Sequence, residues 1–131
     1  MSIVVEFDAK NNIPRGPVHG PMTGAILLDF YAAATEYMAS HPPCRGILDF
    51  SQVTEFEVSP HAIRQVAAAP PAFPAGYMRV IVVPIDFIFG LARMFQMLGE
   101  KTRPDLHVVR TLDEAYRLLQ IESPEFRPVS L

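Results

Sequence analysis

The stretch Gly46-Ile47-Leu48-Asp49-Phe50-Ser51-Gln52-Val53-Thr54-Glu55-Phe56-Glu57-Val58-Ser59-Pro60 decides the fold. Ile, Leu and Phe interrupted by a single Asp over Gly46 to Phe50 read as a strand covered on both faces. A short turn is expected to follow, and then a helix opening at Ser59. Pro60 suits the first helical position, where a missing N–H costs nothing. Ser59 suits the N-cap, its hydroxyl accepting from the free amides of the first turn. A helix N-terminus also favours anions, so a phosphoryl group on Ser59 would sit well there. Ser59 is therefore read both as a plain cap and as a phosphoacceptor. Asp49, Glu57, Ser59 and Pro60 together form a candidate switch surface.

Outward from this stretch, strands and helices alternate. Upstream, Gly24 to Ser40 forms a helix with Thr23 as its cap. Ile26, Leu27, Phe30, Tyr31, Ala34, Tyr37 and Met38 fall on one broad face. His41-Pro42-Pro43 ends it. Before it, Ile3 to Phe7 and Ile13 to Gly20 form an antiparallel hairpin around Asn11-Asn12. Pro14 and Pro17 place the second arm at a sheet edge or make it irregular, because proline cannot donate to a ladder. Downstream, the Ser59 helix runs to about Ala69, burying Ile63 and Val66. A proline-rich loop carrying Phe73 leads to a hydrophobic strand, Met78 to Val83. Asp86 caps a helix to about Leu98, Leu106 to Arg110 is the last strand, and Thr111-Leu112-Asp113-Glu114 is a capping box for a final helix to about Ile121. Residues 122–131, with two prolines, read as a loose tail behind a single domain of residues 1–121. The expected architecture is α/β, about five strands in a mixed sheet with four helices. Connections of this length make neighbouring strands parallel.

Composition narrows the function. The chain has 131 residues, half of them hydrophobic and 19% charged, which fits one globular core. The net charge of −3 and the lack of a basic cluster argue against nucleic acid as a partner. There is no signal-peptide pattern and no apolar run long enough for a membrane span, and the single cysteine, Cys44, fits a reducing cytoplasm. Four scattered histidines (19, 41, 61, 107) give no metal-ligand spacing, although His41 and His61 flank the central strand and could meet. No cofactor is implied: the glycines at 16, 20 and 24 do not form a phosphate-cradling loop. No nucleophile, base and orienter stand at recognisable spacing, so no catalytic residues are assigned and the chain is not read as an enzyme.

The helix from Asp86 to Leu98 is the second feature of interest. Phe87, Ile88, Phe89, Met94 and Met97 make it apolar almost all round, whereas a surface helix needs about a 100° stripe. With Phe73 and Tyr77 of the proline-rich loop, these residues form either a homodimer face or core on the one hand, or an apolar ligand cleft or membrane-surface patch on the other.

Two segments carry a resemblance that spans nearly the whole chain. Ile47 to Thr54 is similar to the strand and turn of STAS domains, and Arg79 to Leu119, with Asp86-Phe87-Ile88-Phe89-Gly90-Leu91-Ala92-Arg93-Met94-Phe95 and Thr111-Leu112-Asp113-Glu114-Ala115, resembles the SpoIIAA-like branch of small bacterial proteins. The resemblance implies a STAS-type sandwich. In anti-anti-sigma members an acidic residue, two serines and a glycine follow the turn, and the second serine is phosphorylated. Here Glu57, Val58, Ser59 and Pro60 stand in those places, so a rigid Ser-Pro replaces Ser-Gly. The implied function is a non-enzymatic regulatory or protein-interaction module acting on a protein partner or on itself as a homodimer. The alternative is a carrier or peripheral membrane binder of an apolar, lipid-like ligand.

Overall fold

The computed structural model describes residues 4–73 and 75–129. Ile3 of the expected first strand, Pro74 of the proline-rich loop and the last two residues of the expected tail lie outside the described residues. The elements run β1 (Val5–Asp8), β2 (Ile13–Thr23), α1 (Gly24–Ser40), β3 (Gly46–Glu57), α2 (Pro60–Ala68), β4 (Arg79–Val82), α3 (Asp86–Leu98), β5 (Leu106–Val109), α4 (Leu112–Leu118) and β6 (Arg127–Val129). The sheet order is β5-β4-β3-β2-β1-β6, with β2 to β5 mutually parallel and β1 antiparallel to both neighbours. The α/β class and the four helices agree with the sequence.

The strands explain two layers of helices. On β4, Val80 and Val82 point to one face and Ile81 to the other, as the two-residue period requires. Ile81 joins Phe50, Val53, Ile63, Ile88 and Ala92 in a core under α1, α2 and α3. Val80 and Val82 join Ile13, Ile47, Ala115 and Leu119 in a smaller core under α4. Burying each of the Val, Ile, Leu and Phe side chains among these contributes about 1.5–3 kcal/mol.

Four expectations are corrected. First, no turn follows Phe50: β3 continues to Glu57. It stays paired with β2 by taking an extra residue twice, where the register slips from Pro17↔Asp49 to His19↔Gln52 and from Gly20↔Val53 to Pro21↔Glu55. The Asp49 carboxylate accepts from Ser51 N at 2.9 Å at the first of these bulges. Second, of the two expectations for the proline-bearing arm the irregular strand holds and the sheet edge does not: β2 is interior, between β3 and β1, and reaches Thr23. The register slips beside Pro17 and Pro21 are what let prolines sit in an interior strand. Third, the expected tail is not loose. Arg127–Val129 pairs with β1 as a sixth strand, Glu125 N donates to Asp8 Oδ2 at 3.2 Å, and Phe126 stacks on Tyr116. The local patterning of residues 122–131 carried no sign of this, because a three-residue edge strand has too few positions to show a period. Fourth, Asp86 is not the cap of α3. Ile85 occupies that position without a side-chain bond, and Asp86, in the first turn, pairs with Arg110 instead.

Candidate functional site

The Ser59 end of α2 forms as expected. Ser59 is exposed and its hydroxyl accepts from Ala62 N at 3.1 Å, with Pro60 at the first helical position. Glu57 is exposed nearby, at the end of β3. Asp49 is not part of this surface. It is 5% exposed, and the length of the strand separates it from Glu57, on the order of 20 Å at the usual rise. The four residues of the expected switch surface are therefore three at most.

The apolar residues of α3 and the proline-rich loop divide into two sets. Phe87 and Met97 are 69% and 67% exposed and, with Ile85 and Leu98, form an outward strip. Ile88 is buried, and Phe89 and Met94 pack against the core, Phe89 beneath the Arg110 guanidinium at 4.0 Å. Ile88, Phe73 and Tyr77 instead share a cavity. A single helix thus supplies two surfaces, because Ile88, Leu91, Ala92 and Phe95 recur at helical spacing on its inner side.

That cavity, of about 150 Å³, lies between the sheet and the three helices on its face. Leu48, Phe50, Phe56 and Ile81 form its floor. The inner face of α1, through Leu27, Phe30, Tyr31 and Ala34, lines it from above. The proline-rich loop closes one end with Pro71, Ala72 and Phe73, and Thr102, Arg103 and Asp105 contribute polar atoms to the wall. In volume it matches a space that holds a benzene-sized molecule.

Two details of its cover are unusual. None of the seventeen residues of α1 is fully buried. The side chain of Tyr31 ties the helix to the loop by donating to the Pro70 carbonyl. The loop itself is held by Gly76 N donating to Asp105 Oδ2 at 2.8 Å, with Gly76 at φ +90°, a conformation that favours glycine.

Two arginines stand in the wall, and sequence reading had singled out neither. Arg103 closes the C-terminus of α2: its Nη1 donates to the Ala67 carbonyl at 2.8 Å and its Nη2 to Val66 and Ala69, both at 3.0 Å. Burial pushes its pKa down, and Tyr31 opposes that. Arg79, first residue of β4, is 5% exposed. Its guanidinium lies 3.5 Å from the Phe73 ring centre, and Nη1 donates to the Tyr77 carbonyl at 2.8 Å. Burial pushes its pKa down to about 10, against the favourable fields of Cys44 and Asp105. Burial likewise pushes the Cys44 thiol up, with Arg79 opposing. A thiol held protonated is a weak nucleophile. The sequence signal for Arg79 was slight: one charge at the head of an apolar strand.

His41 stacks on Tyr37 with ring centres 3.8 Å apart, and among the described residues no hydrogen bond or ring contact joins it to His61. Among the described residues no group of three or more His, Cys, Asp or Glu could hold a metal, and no helix is long and apolar enough to cross a membrane. No protein-family model and no curated protein matches the sequence.

Proposed function

We propose that this protein is a non-catalytic binding module that holds a small apolar ligand between α1 and the sheet. The observation that carries this reading is the cavity itself, walled by aromatic and aliphatic side chains from every element on that face. A residue set serving only the core would close such a space, since interiors pack to the density of organic crystals. The half-buried state of α1 supports the reading, because a cover with no fully buried residue can move at low cost. Membership of a STAS-like, SpoIIAA-like family belongs to the same proposal, supported by the element order and the capped α2. The regulatory role attached to Ser59 has less behind it: an exposed hydroxyl already engaged as a helix cap.

The test uses a neutral fluorescent probe, N-phenyl-1-naphthylamine. Saturable enhancement is expected with the unmodified protein. It should be lost in Ala34→Phe, which fills the space from α1 while circular dichroism stays unchanged. Equal enhancement in both proteins would place the probe elsewhere and remove the support for this reading. Mass spectrometry of protein from its own host addresses the regulatory role: a phosphate-sized adduct on Ser59 would support it.

A further inference from the structure

A second, smaller space adjoins the cavity, and the pair sets the shape of what enters. Resting on the ligand-binding reading above, we propose that the ligand is an uncharged, elongated molecule of the alkylbenzene kind, its ring in the larger space and an unbranched alkyl tail in the smaller one.

The smaller space, of about 50 Å³, also lies beneath α1. Leu27, Phe30, Tyr31 and Ala34 roof the larger space, and Phe30, Ala33, Ala34 and Tyr37 roof the smaller. The second set is the first moved on by about one helical turn, so the two spaces follow one another along one face of α1. From Leu27 to Tyr37 the helix advances on the order of 15 Å, well beyond the length of one aromatic ring. Phe30, Ala34, Leu48 and Phe73 belong to both walls. Ala34 above and Leu48 below run through, which leaves the rings of Phe30 and Phe73 as the partition. The tip of Phe30 lies over Gly16, and Phe73 Cε1 is 3.8 Å from where a Cβ on Gly46 would stand. Side chains alone make this partition, and an aromatic ring turns about its χ angles without moving the backbone.

The chemistry of the walls fixes each part of the ligand. The charged groups of the larger space are Arg79, Arg103 and Asp105, and each is engaged within the protein: Arg103 by three carbonyls of α2, Asp105 by Gly76 N, Arg79 by the Tyr77 carbonyl and the Phe73 ring. What this space offers a ligand is the aromatic surface of Phe30, Phe50, Phe56 and Phe95, which favours another ring in an edge-to-face or offset arrangement. Among the described residues no charged group lines the smaller space, and Tyr37 brings its one polar side chain. A polar tail would lose its water there for little return, whereas each methylene gains by leaving water. A narrow chain passes between two rings more easily than a branched group does.

Calorimetry with toluene, ethylbenzene, n-propylbenzene, n-butylbenzene and tert-butylbenzene tests the proposal. Affinity for the unmodified protein should rise about fourfold with each methylene from toluene to n-butylbenzene, the gain of a buried methylene, and tert-butylbenzene should bind about tenfold more weakly than its linear isomer. Ala33→Leu fills the smaller space from α1, at a position outside the wall of the larger one and with a residue that suits a helix. In this variant n-butylbenzene should fall to the level of toluene, with toluene unchanged. Toluene and n-butylbenzene of equal affinity in the unmodified protein, both blocked by Ala34→Phe, would overturn the elongated ligand and leave the cavity reading standing. A gain with chain length that survives Ala33→Leu would put the tail elsewhere and overturn it too. Should none of the five bind, the cavity reading fails and the proposal with it. If Ala33→Leu does not fold, the linear-to-branched ratio of the unmodified protein decides alone, and equal affinities would overturn the proposal.

Discussion

The ring of Phe30 occupies the space over Gly16 that any side chain there would need: a Cβ on Gly16 would lie 2.5 Å from Phe30 Cζ. Gly16 sits within β2, opposite Leu48 of β3, so this contact seats α1 directly on the centre of the sheet. Gly16→Ala should push the ring and its helix outward and destabilise the fold by about 1–3 kcal/mol, the usual cost of overpacking. Phe30→Leu in the same chain should recover part of that loss. Urea denaturation of the two single variants and the double variant gives the coupling. Additive effects would show that the helix is not seated by this contact.

Tyr31 holds α1 to the proline-rich loop through one bond to Pro70. Tyr31→Phe should raise amide exchange along α1 and speed both entry and release of the naphthylamine probe, with little change in affinity. Stopped-flow fluorescence measures both rates. Unchanged rates would mean that α1 does not gate the cavity.

Arg103 satisfies three carbonyls at the end of α2. Arg103→Met, which removes the guanidinium and its place over the Phe95 ring, should cost about 2 kcal/mol, since bonds from a charged donor are worth ~1.5–3 kcal/mol each and the carbonyls can regain water. Arg103→Lys should recover only part, because an ammonium lacks the planar fork. Chemical denaturation of both variants checks the order.

Asp8 is fully buried, and burial pushes its pKa up, but bonds from the Asn11 side chain and the Glu125, Asn11 and Lys10 amides outweigh this and leave it lowered from 3.8. A carboxylate with a depressed folded pKa stabilises the fold above its unfolded pKa. That contribution fades as pH falls below 3.8 toward the folded value. Asp8→Asn should therefore be less stable than the unmodified protein at neutral pH, and the gap should narrow on acidification through that window. A pH series of melting temperatures shows it, and a gap independent of pH would contradict the assignment.

The outward strip of α3 gives a fifth prediction. Phe87→Asp should leave stability nearly unchanged, whereas Phe89→Asp should destabilise, because Phe89 is half-buried under Arg110. Sedimentation equilibrium reads the association expected of so much exposed apolar surface. Phe87→Asp should reduce it, and an unmodified protein that stays monomeric at high concentration would end the homodimer expectation.

The order of elements was legible because helices and buried strands announce themselves through period and caps. Thr23, Ser59 and Thr111 all cap where their spacing predicted. The bulges of β3 were not, since an extra residue breaks the very alternation used to recognise a strand, and residues 51–57 read as a turn. The candidate site was half legible. Phe73, Tyr77 and Ile88 were named for an apolar cleft, and they do share one. Phe87 and Met97 were grouped with them because an all-round apolar helix gives no sign of which side is covered. Arg79 and Arg103 escaped notice because their importance lies in what surrounds them, and that depends on contacts between distant segments.

The pairing of Val5 with Val129 brings the two ends of the described chain side by side on neighbouring antiparallel strands. Tension applied through those ends would load the β1–β6 ladder at its outermost rung and part it one hydrogen bond at a time, as a zip opens. The fold should therefore yield to mechanical pulling at low force, starting at this edge and freeing Glu125 from Asp8 long before the cavity on the far face is disturbed.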